Sequence, residues 1–282
     1  MIRREAGRQG GREVAPMKAI IFNELRINIR TLIIWSLIMF LLAAFGGLEF
    51  GSLQGSFDVL QDAVESMPKI IRVVFGIYDE LPLNTPLGQL ACMQFWYALI
   101  AYAYAAFFGA YIVASDEHLR TAEFIYTKPF KRSAIIASKL LVVFIHMFVL
   151  SALAAIGSIA FLLPGVGAME LAPEVLIITF GMLLTQCVYA AIGTLCAALM
   201  KSYKKVIYSS FAVFACSFVV AIIIESTGDT SFMNLLSPIR YFHTPTIVSN
   251  GLSIPYTLLS LVLIAAALYV AAIKNKVRDL RA

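Results

Sequence analysis

The feature that most constrains this chain is a series of six long apolar runs. Each is long enough to cross the roughly 30 Å hydrocarbon core of a bilayer as a helix, and five carry no charged residue in their interior. Buried helices of a large soluble protein would carry polar faces, which these runs lack. With 60% hydrophobic and 14% charged residues, the chain is predicted to be an all-α integral membrane protein. The predicted spans cover about 32–50, 88–114, 138–163, 174–200, 206–224 and 254–273.

The positions of Lys and Arg predict how these spans are oriented. Of the 22 Lys and Arg residues, only Lys69, Arg72 and Arg240 fall on one side of the predicted bilayer, and all the others fall on the opposite side. Because cytoplasmic loops are enriched in Lys and Arg, both termini are predicted to be cytoplasmic, in a multi-pass protein of the cell membrane. The sequence has no basic cluster with interleaved aromatic residues, so nucleic-acid binding is not predicted.

The segments that flank the first span are polar or amphipathic. Residues 1–16 are rich in Gly and Arg and are predicted to form a disordered leader, so that 17–282 form a single transmembrane domain. Within 17–30, apolar residues recur at helical spacing, which favours an interfacial helix lying at the inner membrane surface. On the outer side, 51–87 predicts a pair of amphipathic helices interrupted at Pro68.

A charged stretch over 115–139, which we call the island, separates the second and third spans. It holds five basic and three acidic residues between two runs that carry none. The spacing of its first half predicts a short amphipathic helix that begins at Asp116 and ends before Pro129. Asp116 and Glu117 are therefore expected at the N-terminal end of this helix, where the helix dipole favours negative charge. A surface helix with one free face is predicted to contact another molecule.

The spans carry few groups that could perform chemistry. The sequence contains no Gly-x-x-x-x-Gly-Lys-Ser/Thr phosphate-binding loop and no His-Glu-x-x-His zinc motif. The four cysteines are interpreted as small apolar residues. His146, Gln94 and Gln186 are interpreted as interhelical hydrogen-bond partners, with a proton relay or ligand as the alternative for His146. Glu225, at the end of the fifth span, is expected to reach water.

The order of residue types in the island follows a recognisable pattern. It comprises an acidic pair, a Thr-x-Glu, a Pro, an Arg-Ser and a Lys, here Asp116, Glu117, Thr121, Glu123, Pro129, Arg132, Ser133 and Lys139. This pattern resembles the type-two ABC transporter permease family, the membrane subunits of ABC exporters, and departs from it at Arg120, where the family usually has Gly. Two later segments, Ser-Pro-Ile-Arg-Tyr-Phe over 237–242 and Arg-Asp-Leu over 278–280, are also similar to that family.

The resemblance implies a permease domain over 17–282 that moves a substrate outward across the cytoplasmic membrane. ATP and Mg²⁺ would be bound by a separate ATP-binding subunit, and this chain would hold no catalytic site, cofactor or metal. It would work with a second permease chain, in a homodimer or heterodimer, within the lipid bilayer. The residues that the resemblance assigns to coupling with the ATP-binding subunit are Asp116, Glu117, Arg120, Thr121, Glu123, Pro129 and Arg132.

Two other functions are compatible with a six-span protein. An ATP-independent channel or secondary carrier generally needs a carbonyl-lined filter or an ionisable group at depth, and no Asp or Glu lies inside the second to sixth runs. An intramembrane enzyme would need a catalytic pair within the spans, and the sequence suggests no partner for His146. Both are therefore ranked below the exporter.

Overall fold

The computed structural model describes the backbone of residues 2–53, 62–118, 132–162, 171–227 and 233–277, with most side chains in these ranges from Lys18 onward. This part of the chain is helical almost throughout. The α-helices are α1 (Ile2–Leu53), α2 (Lys69–Val74), α3 (Pro86–His118), α4 (Arg132–Leu162), α5 (Ala172–Leu199), α6 (Tyr203–Thr227), α7 (Thr244–Asn250) and α8 (Ile254–Val277). Two short 3₁₀ turns, Met233–Leu236 and Pro238–Arg240, precede α7.

Six of these helices are long and apolar enough to cross a bilayer, which confirms the predicted all-α membrane architecture. No β-strand occurs among the described residues. Large apolar side chains such as those of Phe148, Leu261 and Tyr269 point away from the bundle, as expected for surfaces that contact lipid. The crossing stretches are Lys18–Gly46, Pro86–Ser115, Ala134–Ala160, Ala172–Leu199, Tyr203–Thr227 and Ile254–Lys274.

The first span differs from its prediction. α1 continues without a break into the crossing stretch, whereas the sequence predicted a separate interfacial helix and a span that begins near residue 32. No Pro or Gly occurs between Met17 and Phe45, so nothing in the backbone interrupts the helix. Glu24 and Asn28 are buried against the bundle. The helix assignment begins at Ile2, and the division into a leader of 1–16 and a domain of 17–282 stays a prediction.

A close crossing of α3 and α5 organises the core. A Cβ placed on Gly109 would lie 2.2 Å from the carbonyl oxygen of Ala190, and one placed on Gly193 would lie 2.3 Å from the carbonyl oxygen of Ala106. The hydroxyl of Thr194 donates to the carbonyl of Gly109 at 3.2 Å. These contacts require small residues at the crossing, because a side chain would push two helix backbones apart. α1 and α4 pack together on one flank of this pair, and α6 packs on the other.

The two ends of the bundle differ in how they are covered. At the end where α3 ends and α4 begins, which we call the island end, the connecting residues lie outside the described part of the chain. At the opposite end, residues 62–65 are helical, Pro68 interrupts the helix, and α2 follows, as the sequence predicted. The 233–250 segment also folds back onto this end, where the hydroxyl of Ser237 is fully buried and donates to the carbonyl of Ser217 at 2.9 Å.

Candidate functional site

The structure describes only the edges of the island. Asp116 and Glu117 lie in the last turn of α3, and Arg132 is the first residue of α4, although the side chains of these three residues are not described. The remaining residues assigned to coupling, which are Arg120, Thr121, Glu123 and Pro129, lie outside the described residues. Their role in coupling therefore stays a prediction.

A buried ion pair lies where the island joins the bundle. The ammonium of Lys139, on the second turn of α4, lies 3.2 Å from Glu24 Oε1 on α1, and both side chains are at least nine-tenths buried. Lys139 Nζ also donates to the carbonyl of Ile112 on α3 at 2.7 Å. The Asn28 amide donates to the backbone carbonyl of Glu24 at 2.9 Å. One side chain thus joins three helices directly beneath the two points where the island leaves and re-enters the bundle.

This junction restrains how the ends of the island move. A displacement of the first turns of α4 would carry Lys139 with it, and would either break its contacts with α1 and α3 or move those helices too. Removing one member of a buried ion pair is strongly unfavourable, so the three helices are expected to move as a unit. The junction is therefore positioned to carry a force applied at the island into the transmembrane helices.

Polar residues inside the bundle make interhelical contacts, as the sequence predicted. The Tyr104 hydroxyl lies 3.0 Å from His146 Nδ1, and the His146 ring stacks on Phe108 with centroids 4.2 Å apart. The Ser151 hydroxyl donates to Gln186 Oε1 at 3.2 Å. These contacts support a structural role for His146 and Gln186. The four cysteines lie in described helices and form no disulfide with one another.

A second charged cluster lies at the end of the bundle opposite the island. Glu225, near the end of α6, forms an ion pair with Arg240 from the segment that folds back, and His243 Nε2 lies 3.2 Å from Glu225 Oε2. The side chains of all three are 13–17% exposed. Glu225, which is expected from the sequence to reach water, is largely but not fully covered, because Ser237 and its neighbours bring Arg240 over the end of α6. Tyr78 packs edge-on against His243, with ring centroids 4.9 Å apart.

This cluster forms the mouth of an open cavity. The cavity lies between α3 and α6, beneath the 239–244 segment, and its space amounts to about 630 Å³ when the open solvent at its mouth is included. Phe95, Leu99, Phe218 and Ile222 contribute apolar lining below the charged residues. The Thr244 hydroxyl donates to Gln94 Oε1 at 3.3 Å on the wall of the cavity.

A comparison with known protein families identifies the family of this chain. The family described as ABC-2 family transporter protein matches residues 18–278, which include all six crossing helices. The chain belongs to this family. It is a permease component of an ABC transporter, of the kind that generally works with an ATP-binding subunit. No curated protein matches the permease chain.

The helix assignment corrects one expectation about the island of this permease. Asp116 and Glu117 continue α3, which is helical from the span through His118, and do not begin a new helix, because no Pro or Gly separates them from the span.

The paired charges of the permease are the residues that the sequence does not reveal by pattern. Nothing in the spacing joins Glu24, within the predicted interfacial helix, to Lys139, at the start of the third predicted span. The available signal is the position of Lys139, since a lysine that enters the bundle at the start of an apolar run requires a partner. A similar signal exists for Arg240, one of three basic residues on its side of the predicted bilayer.

Proposed function

We propose that this permease is the membrane subunit of an ATP-driven exporter in the cell membrane, with both termini and the island in the cytoplasm. In this proposal, ATP and Mg²⁺ bind to a separate ATP-binding subunit, and two permease chains form the complete transport pathway. The observation that carries the proposal is the family match over residues 18–278. The distribution of Lys and Arg supports the orientation.

The coupling step of the proposal assigns the island as the docking element for the ATP-binding subunit. Asp116 and Glu117 place two negative charges where α3 leads into the island, and a basic surface on the subunit would pair with them. Movement of the subunit would displace the adjoining ends of α3 and α4. Lys139 would pass this displacement to α1 through Glu24 and to α3 through the carbonyl of Ile112.

The experiment uses the affinity-tagged permease, expressed with the ATP-binding subunit that co-purifies with it. A solvated ion pair contributes about 0–1 kcal/mol, whereas removing one member of a desolvated interfacial pair typically costs about 2–5 kcal/mol. The double variant Glu117→Ala, Glu123→Ala is therefore expected to retain the subunit at least tenfold less well, or to hydrolyse ATP without transport. Membrane insertion and expression should be unchanged.

Two charged residues outside the island serve as controls. Lys18 is exposed near the start of the membrane-crossing part of α1, and Asp62 is exposed at the opposite end of the bundle. Lys18→Ala and Asp62→Ala are expected to retain the subunit and to transport normally. Normal subunit retention together with normal transport in the Glu117→Ala, Glu123→Ala variant would refute the coupling role of the island.

A further inference from the structure

The cavity between α3 and α6 changes from polar to apolar along its depth. On α6, Glu225 lies at the mouth and Phe218 lies two turns deeper, a distance of about 10 Å along the helix axis. On α3, Gln94 lies near the mouth and Leu99 and Tyr102 lie progressively deeper. Ligand pockets are typically lined by apolar side chains with a few placed polar groups, which is the arrangement here. This gradient matches a molecule that has a polar head and an apolar body.

The two buried charges at the mouth compensate each other. The guanidinium of Arg240 is paired with the carboxylate of Glu225. Burial and the charge of Arg240 lower the pKa of His243 to about 3, although Glu80 opposes this shift, so its ring is uncharged at neutral pH. Glu80 also lies near the mouth, but its side chain is exposed and its charge is solvated by water.

The mouth nevertheless offers hydrogen-bonding groups. His243 Nε2 and Glu225 Oε2 are buried and lie 3.2 Å from each other, and Glu225 also pairs with Arg240. The amide of Gln94, the phenol of Tyr78 and the hydroxyl of Thr244 line the cavity beside them. A hydroxyl or amide group placed here could hydrogen-bond to these three uncharged side chains. A head group with a net charge would either lack a partner or compete for one half of the ion pair, which is strongly unfavourable in a buried site.

We propose that this cavity binds a slender amphipathic molecule whose head is uncharged and rich in hydroxyl or amide groups, with its single apolar chain directed between α3 and α6. Part of the enclosed space belongs to the open mouth, which favours one chain over a branched or multi-ring body. The inference names the substrate class of the permease, and to that extent it rests on the proposed transport function.

The test measures binding to the permease alone in lipid nanodiscs, so that failure of ATP coupling cannot affect the result. Three photoactivatable octyl probes are compared, which carry a glucoside, a trimethylammonium or a carboxylate head and a diazirine in the chain. The glucoside probe is expected to label peptides from α3 around Leu99 and from α6 around Ile222. It should label them about tenfold more than either charged probe, because an unpaired charge at the mouth weakens binding. Excess unlabelled octyl glucoside should abolish this labelling.

Two cavity-filling variants and a surface control complete the test. Leu99→Trp and Ile222→Trp each place a large side chain in the cavity, whereas Leu141→Trp changes a residue on the outer surface of α4 that is 43% exposed. Each filling variant that elutes as a folded protein should lose most of the glucoside labelling, and Leu141→Trp should keep it. Equal or stronger labelling by a charged probe would overturn the proposal. So would glucoside labelling of the parent protein that excess octyl glucoside does not reduce.

Discussion

Removing the charge of Lys139 is expected to destabilise the permease more than any exposed charge could. The Lys139 side chain is 3% exposed and that of Glu24 is 10% exposed, so little water reaches either charge when the other is removed. Deleting one member of such a pair typically costs about 3–5 kcal/mol. At roughly 2–4 °C per kcal/mol for a domain of this size, Lys139→Met should lower the midpoint of thermal unfolding by about 6–20 °C.

The double variant Glu24→Gln, Lys139→Met separates the effect of an unpaired charge from the loss of the pair itself. With both charges gone, neither of the two is left buried opposite a neutral group, and replacing a buried pair by neutral groups is often nearly neutral. The double variant should therefore be more stable than Lys139→Met. The carbonyl of Ile112 lies within α3, so it keeps its helical hydrogen bond when Lys139 is absent.

The measurement is unfolding of detergent-purified protein followed by tryptophan fluorescence. Trp35 lies on α1, the helix that carries Glu24, and its ring is 4.7 Å from that of Tyr104 on α3, so its emission reports the packing of α1. Lys204→Met, at an exposed lysine, serves as the control and should change stability by no more than about 1 kcal/mol. A Lys139→Met variant no less stable than this control, or a double variant with strictly additive losses, would refute the reasoning.

Three further predictions follow from the fold. A cysteine at Ser56 should be labelled by a membrane-impermeant maleimide from outside the cell and one at Ser133 should not; the reverse pattern would overturn the proposed orientation. His146→Asn should keep transport within a few-fold of the parent, and loss of transport in a folded, fully assembled variant would instead give His146 a direct role. Gly109→Ala places a methyl group against the α5 backbone and should lower the unfolding free energy by about 1–3 kcal/mol. In the same unfolding measurement, the control Ala266→Val on the exposed face of α8 should change it very little.

The sequence predicts the spans well and the contacts between them poorly. The crossing helices after the first begin and end within a few residues of the predicted limits, because charge-free apolar runs determine where a chain can enter a bilayer. The first span differs, because α1 runs without a break through 17–30, where the sequence predicts a separate interfacial helix. Which charges meet depends on the rotation and depth of each helix, and periodicity does not specify either.

The two charged clusters show this limit clearly. Glu24 and Lys139 each look like residues at a membrane edge, and only the packing of α1 on α4 places them 3.2 Å apart. Arg240 reaches Glu225 because the 233–243 segment folds back onto the bundle, a path that no local sequence pattern indicates. The island was the most recognisable stretch of the sequence, and its central residues lie outside the part of the chain that the structure describes.

The pairing of Glu24 with Lys139 has a consequence for the order of biogenesis. About 115 residues of chain separate the two, so at roughly 5–20 residues per second the ribosome completes Glu24 several seconds before Lys139 exists. During that interval Glu24 cannot pair with Lys139, and a charge is costly inside the bilayer without its partner. The contact that joins the first helix to the third crossing helix can therefore form only after that third helix has been inserted.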